Sequence, residues 1–575
     1  MKNGLASGYL TFTLHAHLPY VVNHGTWPHG MEWLLEAATE TYLPLLKVLS
    51  RLERDEIPFK ANLNLSPILL EQLAHPVFKA ALPEYLERKL LAAREDEKTF
   101  AAAGDLHMVE TSRHWLRYFT EALEDFTALG GDIIKGFRHY NDAGVIEIIT
   151  CAATHGYFPL LGTDESVVAQ VKTGAATHQK HLGKHPRGIW APECGYRPAG
   201  LWQTPVIPAG ADKPWEPFER IGVEEALYQG GIEYFFVDTH LVEESVSYTP
   251  YDLMAGATGA AEELEAAGWL KTVYRPYIVD GPRAREHRTN VFPRDPRTGL
   301  QVWSGDAGYP GDGVYLDFHK KRWPGGHRYW QVTDTKADLG LKTPYYPERA
   351  LARTRAHAEH FVSVVCETLK SLLDAKHPPI LNSPFDAELF GHWWHEGAAW
   401  LEHVARTMAK EEIPIAMISC GEYLDKHPSH GFIGMKEGSW GEKGNNYVWL
   451  NPDTSYTWTH IYPAEARVRE IATEGKWQDG ATGERIMKQL CRELLLLESS
   501  DWQFLITTGA ARDYSEARFQ THIDQFAAVE KAWDEFAATG SLSEANEEAL
   551  KAIEIRDSIF AEIDPSLWVV NSQYK

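Results

Sequence analysis

Short apolar runs and helix-spaced apolar positions take turns along most of the chain. Residues 9–14 read as a strand of aromatic and β-branched residues that runs into a polar turn. Residues 32–49 repeat their apolar positions at helical spacing, and 59–65 read as another short strand. Helical, charged stretches cover 68–100 and 112–128. A strand at 145–150, a helix at 168–183 and a strand end at 188–190 follow. The rhythm continues with a helix within 218–230 and a strand at 234–238. From 240 to 346 periodicity fades among Gly, Pro, Tyr and Asp, a length that suits an active-site covering. A helix at 349–375 and a strand at 380–382 restore it. Such alternation predicts an α/β fold with parallel strands. Beyond residue 421 a stretch rich in Gly, Trp, Tyr and Asn gives way to helices at 462–472, 481–497, 510–539 and 545–560.

The candidate polar groups fall just after strands, at their C-terminal ends. Both a (β/α) barrel and an open doubly wound sheet place their chemistry there. Polar candidates after several different strands favour the barrel, and no phosphate-cradling glycine motif supports a nucleotide fold. The expected organisation is a barrel over 1–420, with a small helical insertion at 67–130 and an irregular loop region at 240–346. A helical domain over 421–575 follows it.

Composition narrows the function. A length of 575 residues suits two or three domains and a large core. The net charge of −24, without a basic patch, argues against nucleic-acid binding. The five scattered cysteines form no CxxC pair, so neither a disulfide scaffold nor a zinc knuckle is expected, and a reducing cytoplasm fits. Neither a signal peptide nor a membrane span is apparent. The 20 tryptophans and 25 tyrosines point toward sugar, because many lie beside Gly, Pro, Asp and His in loop-like sequence.

Two acids stand in such surroundings. Glu193 lies in Trp190-Ala191-Pro192-Glu193-Cys194-Gly195-Tyr196, and Asp386 in Ser383-Pro384-Phe385-Asp386, before Trp393 and Trp394. Read blandly, Glu193 is a loop carboxylate and Asp386 a helix N-cap; Glu388 rivals Asp386 as the acid. Read as a pair, they suit glycosidic chemistry, in which one carboxylate attacks and the other group donates a proton. His15 and His17 share one side of an extended segment. With His155, Asp238, His240 and His392 they supply sugar contacts or orienting groups. A His/His/Asp zinc site is the rival reading; no metal or other cofactor is expected. Trp27, Trp303, Trp393, Trp440 and Trp449 are candidate sugar platforms, with core packing the bland alternative for each.

These segments, in this order, resemble glycoside hydrolase family 57, and within it the branching enzymes that act on α-glucans. The match begins at His15-Ala16-His17-Leu18-Pro19-Tyr20. It runs through Gly136 to Gly144, Ala153 to Leu160 and the Glu193 and Asp386 segments. It ends with Ser439-Trp440-Gly441 and Glu498-Ser499-Ser500-Asp501-Trp502. The resemblance implies an incomplete (β/α)7 barrel with a small insertion and a C-terminal helical domain. It implies Glu193 as nucleophile and Asp386 as general acid/base. His15, His17 and His155 would contact sugar, and Trp27, Trp303, Trp440 and Trp449 would line the cleft. The substrate would be amylose, amylopectin or glycogen, as donor and acceptor. A lid tyrosine is expected as well, with Tyr248, Tyr251, Tyr274 and Tyr277 as candidates.

Overall fold

The computed structural model describes residues 6–248, 271–304, 308–373, 377–429 and 431–570. Among them are thirteen strands: β1 (Gly8–Ala16), β2 (Ala61–Leu65), β3 (Ile146–Cys151), β4 (Ile189–Trp190), β5 (Gly200–Trp202), β6 (Phe218–Arg220), β7 (Tyr234–Val237), β8 (Val246–Tyr248), β9 (Tyr277–Val279), β10 (Asn290–Pro293), β11 (Ile380–Asp386), β12 (Ile415–Met417) and β13 (Phe432–Gly434).

Five of them form a parallel run in the order β11-β1-β2-β3-β4. A parallel bridge from Gly188 to Tyr234 carries the curl on to β7, which pairs in parallel with β10. The amide of Asp295 then donates to the Asn382 carbonyl at 2.9 Å, returning the curl to β11. Five strands and two more make an incomplete seven-stranded barrel with helices around it. At the β4–β7 seam a Cβ on Gly188 would collide with the ring of Tyr234, so the residue has no room for a side chain.

The pattern of β1 shows how this sheet is specified. Leu10, Phe12 and Leu14 point to the outer helices, and Phe12 stacks on Phe361 at 5.6 Å. Burying each such side chain contributes about 1.5–3 kcal/mol. The alternate positions, Thr11, Thr13 and His15, are also buried but polar. Thr13 donates to Asn382 Oδ1 at 2.9 Å, and Asn62 donates to both threonine hydroxyls. The barrel interior is thus a satisfied polar ladder that rises toward the histidines.

The region read as irregular holds β9 and β10, and β10 completes the barrel. Only four residues long, it lacked the length that periodicity needs. Helices Pro67–Ala74, Pro76–Ala102 and Leu106–Ala128 stand where an insertion was expected. At the C-terminal end, Ser455–Glu474, Ala481–Leu497, Asp501–Thr508, Arg512–Thr539 and Glu544–Arg556 are helical. Among the described residues, no helix is long and apolar enough to cross a membrane.

Candidate active site

The parallel register sets His15 beside Asp386, each at the C-terminal end of its strand. β4 ends at Trp190, and a tight turn, Pro192–Cys194, follows with Glu193 at φ 60°. This left-handed conformation is uncommon for a residue with a Cβ and concentrates at functional sites. His155, just after β3, has φ 62°. Asp386 precedes the short turn Ala387–Leu389, yet its side chain makes no capping bond there.

Glu193 is held by a segment from far along the chain. Residues 438–440 run antiparallel to 193–196. Tyr196 and Gly438 exchange backbone bonds at 2.9 and 3.0 Å, and the Trp440 amide donates to the Glu193 carbonyl at 3.0 Å. The Trp440 indole N–H then donates to Glu193 Oε2 at 2.6 Å. Trp440 packs edge-on against Trp190 at 4.9 Å and Trp303 at 6.1 Å, with the Arg294 guanidinium 5.6 Å from its ring centre.

Burial pushes the Glu193 carboxyl up to about 8; Asp386 and Asp501 push the same way, while the Trp440 donor and His17 oppose. Burial likewise raises Asp386 to about 8, with Glu388 adding to the rise and Arg294 opposing it. The indole bond to Glu193 stabilises its carboxylate form. The rival acid Glu388 is engaged elsewhere: it accepts from the Tyr42 hydroxyl at 2.5 Å and from the His17 amide at 3.2 Å.

The histidines form a stacked wall, with His15 over Trp190 at 4.7 Å and His17 over His155 at 4.1 Å. Their tautomers follow from their partners. The Asn64 amide nitrogen donates to the carbonyls of Ile149 and Thr150, which turns Asn64 Oδ1 toward His15 Nδ1 at 2.7 Å. His15 therefore carries its proton on Nδ1, and its Nε2 accepts from His155 Nε2 at 3.1 Å. His155 Nδ1 in turn accepts from the Ser500 hydroxyl at 2.8 Å. Burial lowers both rings well below the usual histidine range, His17 adding to the effect, so both are neutral. His17 meets the Asp501 carboxylate at 3.0 Å and the Ser66 hydroxyl at 3.0 Å.

Three groups among the described residues bring ligand atoms close enough together to share a metal ion: His17, His155 and Asp501, and His15, Cys151 and His155, both at the barrel mouth, and Glu493, His522 and Asp557 in the helical region. In the two at the barrel mouth, the second ring nitrogen of each histidine already has a hydroxyl or amide partner. Burial also holds the Cys151 thiol well above its usual range, which disfavours a thiolate ligand. A partner on the second ring nitrogen is also what a metal-bound histidine shows, so of these observations the thiol alone counts against a metal, and only in the group that contains Cys151.

The other expected residues separate. Asp238 caps a short helix by accepting from the Thr239 amide and lies 3.6 Å from His240, which also meets the Gly444 carbonyl. Trp303 is half-buried against Phe385 and Trp440. Trp449 is not a cleft platform: it is fully buried and stacks on Tyr157 at 4.2 Å. His392 is turned away to Glu40 at 2.8 Å, while Trp393 is exposed. Trp27 is exposed on a different groove, opposite Trp323. Of the tyrosines, Tyr277 is buried on β9 with its hydroxyl tied to Thr272, and Tyr274 donates to Asp295. Neither is a free lid. Tyr248 ends β8, and Tyr251 lies outside the described residues. Asn64, Arg294, Ser500 and Asp501 were not singled out beforehand. Ser500 and Asp501 fall in a quoted motif; Asn64 and Arg294 had no local signal.

Comparison with known proteins agrees with this architecture. Residues 11–436 match the model of glycosyl hydrolase family 57, and 460–568 match the model of the 1,4-α-glucan branching enzyme C-terminal region. A 1,4-α-glucan branching enzyme of Thermococcus kodakarensis is 40% identical over 96% of this chain and 77% of its own length. The structure of a branching enzyme of the same family from Pyrococcus horikoshii aligns with TM-score 0.86 and 38% identity, covering 98% of this chain and 97% of that one. An α-amylase of Thermotoga maritima aligns at TM-score 0.79 and 28% identity, covering 98% and 99%. The chain belongs to glycosyl hydrolase family 57.

Proposed function

We propose that the protein is a retaining 1,4-α-glucan branching enzyme. The observation that carries the chemistry is the pair of buried acids with raised carboxyls at strand ends, with only Glu193 held by an indole donor. Glu193, as carboxylate, attacks the anomeric carbon of an internal α-1,4 linkage. Asp386 gives its proton to the departing 4-oxygen, and a glucan chain remains esterified to Glu193. Asp386, now ionised, takes the proton from the 6-hydroxyl of an acceptor glucan. That oxygen attacks the anomeric carbon, Glu193 leaves, and an α-1,6 branch forms with retained configuration. His15, His17 and His155 hold sugar hydroxyls beside the reacting carbon. The match over residues 460–568 supports branching, and with it a division into a barrel and a C-terminal helical domain that completes the cleft.

Amylose incubated with the enzyme is expected to gain α-1,6 anomeric signals in proton NMR without a matching rise in reducing ends. The likeness to the Thermotoga α-amylase favours a second reading, hydrolysis. Reducing ends that rise with no branch signal would establish it and sink branching. Chains redistributed with α-1,4 bonds alone would mark a 4-α-glucanotransferase.

A further inference from the structure

Arg294 follows β10, the strand that closes the barrel. Its amide donates to the Val237 carbonyl at 2.9 Å, and the next amide, of Asp295, donates to the Asn382 carbonyl at 2.9 Å. Asp238 follows Val237 on one side, and β11 runs from Asn382 to Asp386 on the other. The Asp295 carboxylate caps the helix Pro296–Trp303, and the Thr298 hydroxyl meets that of Ser383 at 2.8 Å, which braces the segment against β11. Backbone bonds thus fix Arg294 between two acids.

The guanidinium has donors to spare. Its side chain is 16% exposed, and Nη1 lies 3.9 Å from Asp238 Oδ1, beyond hydrogen-bonding distance. Asp238 is served elsewhere, by the Thr239 amide at 2.9 Å and by His240 at 3.6 Å. Arg294 Nε is buried and has no hydrogen-bond partner among the described residues. A Cβ on Gly299 would lie 2.9 Å from Nε and from Nη2, so the glycine leaves the room that the guanidinium fills.

In the proposed reaction the negative charge changes hands. Before attack it lies on Glu193, held by the Trp440 indole. Once Asp386 has protonated the departing 4-oxygen, Glu193 is a neutral ester and Asp386 a buried carboxylate. A buried charge needs a partner. His15, in register with Asp386, is neutral, and burial holds the nearby Cys194 thiol well above its usual range. Glu388 disfavours a charge on Asp386, whereas Arg294 favours it. We propose that Arg294 is a positioning residue for the second step: it supports the Asp386 carboxylate while that group draws the proton from the acceptor hydroxyl. The proposal rests on the two-step reading given above.

The test uses the full chain with α-maltotriosyl fluoride as donor and acceptor. The C–F bond breaks as Glu193 attacks, and fluoride leaves without a proton, so ester formation needs no acid. Transfer still needs the Asp386 base. Arg294→Gln should lower kcat about 10- to 100-fold, the scale of a lost hydrogen bond to a charged group, and lower KM with it. Intact mass of the acid-quenched variant should show a maltotriosyl adduct larger than the wild type's and absent when Glu193→Gln is added. With amylose, the alkaline limb of the pH–rate profile should move upward. Arg294 favours the charged form of Asp386, so without it the proton is kept to higher pH. Arg294→Lys, which keeps a positive charge, should change both readings in the same direction but less, and it serves if Arg294→Gln fails to fold by circular dichroism. An adduct no larger than the wild type's, or an unmoved alkaline limb, would overturn the proposal and confine Arg294 to packing against Trp440. Wild-type enzyme inert toward both maltotriosyl fluoride and amylose would bring down the α-glucan reading, and this proposal with it.

Discussion

Glu193 and Asp386 are told apart by one hydrogen bond. Both carboxyls are buried and raised, but only Glu193 receives the Trp440 indole N–H, at 2.6 Å. A hydrogen bond to a charged group contributes about 1.5–3 kcal/mol. Trp440→Phe should therefore lower kcat by about 10- to 100-fold. It should also move the acid limb of the pH–rate profile upward. The sign follows from the donor, which favours the Glu193 carboxylate. Without it the carboxyl titrates higher still, and the carboxylate that the proposed attack needs appears only at higher pH. An acid limb that stays put or moves down would refute this role. Ser500→Ala is a milder test: it removes the donor that orients His155, so kcat should fall by about tenfold with the fold intact. Circular dichroism and initial rates would check it.

At the scale of elements, the turn between helices Ala481–Leu497 and Asp501–Thr508 enters the barrel mouth. The Ser500 amide donates to the His155 carbonyl at 3.2 Å, and Ser499 bridges Gly156. Behind this turn two buried acids meet. Glu465 accepts from the Gly162 amide, and Glu498 accepts from Gln170, which also donates to Thr154. Burial raises both carboxyls, Glu498 to about 8. A carboxyl raised above its unfolded value of about 4.3 favours folding fully only below that value. The contribution fades as pH rises toward about 8. Glu498→Gln mimics the neutral form, so its melting temperature should fall less than the wild type's between pH 5 and 8. Equal slopes in differential scanning calorimetry would show that Glu498 is already ionised at neutral pH.

Across the whole molecule, the N-terminal loop is fastened to the far end of the chain. His24 meets Asp557 at 2.6 Å, the Tyr20 hydroxyl reaches the Arg556 carbonyl at 3.2 Å, and Gln525 joins Asp557 to Glu493. Burial lowers the His24 ring, and the Asp557 carboxyl is lowered by its donors against burial. Removing the acceptor leaves buried donors unpaired, which costs about 1–3 kcal/mol. Asp557→Ala should lower the thermal midpoint measurably. Differential scanning calorimetry would check it, and an unchanged midpoint would sink this fastening role.

Much of this was legible in sequence, for a local reason. Periodicity reports which face a residue buries, so the alternating strands and helices and the C-terminal helices could be read directly. The acids declared themselves by their neighbours, since Gly, Pro and Trp around Glu193 and Asp386 mark turns at strand ends. The closing strand β10 could not be read, because four residues carry too little pattern. Nor could sequence separate Trp440, bonded to Glu193, from Trp449 nine residues on, sealed against Tyr157. Both lie in one stretch rich in Gly, Trp, Tyr and Asn, and only long-range packing sorts them. Sequence alone determined which residue types the chemistry could draw on and the strand ends on which they sit. Tertiary structure decided which carboxylate receives a donor, which histidine tautomers exist and which tryptophans meet water. Those are properties of contacts between segments hundreds of residues apart, which no local pattern encodes.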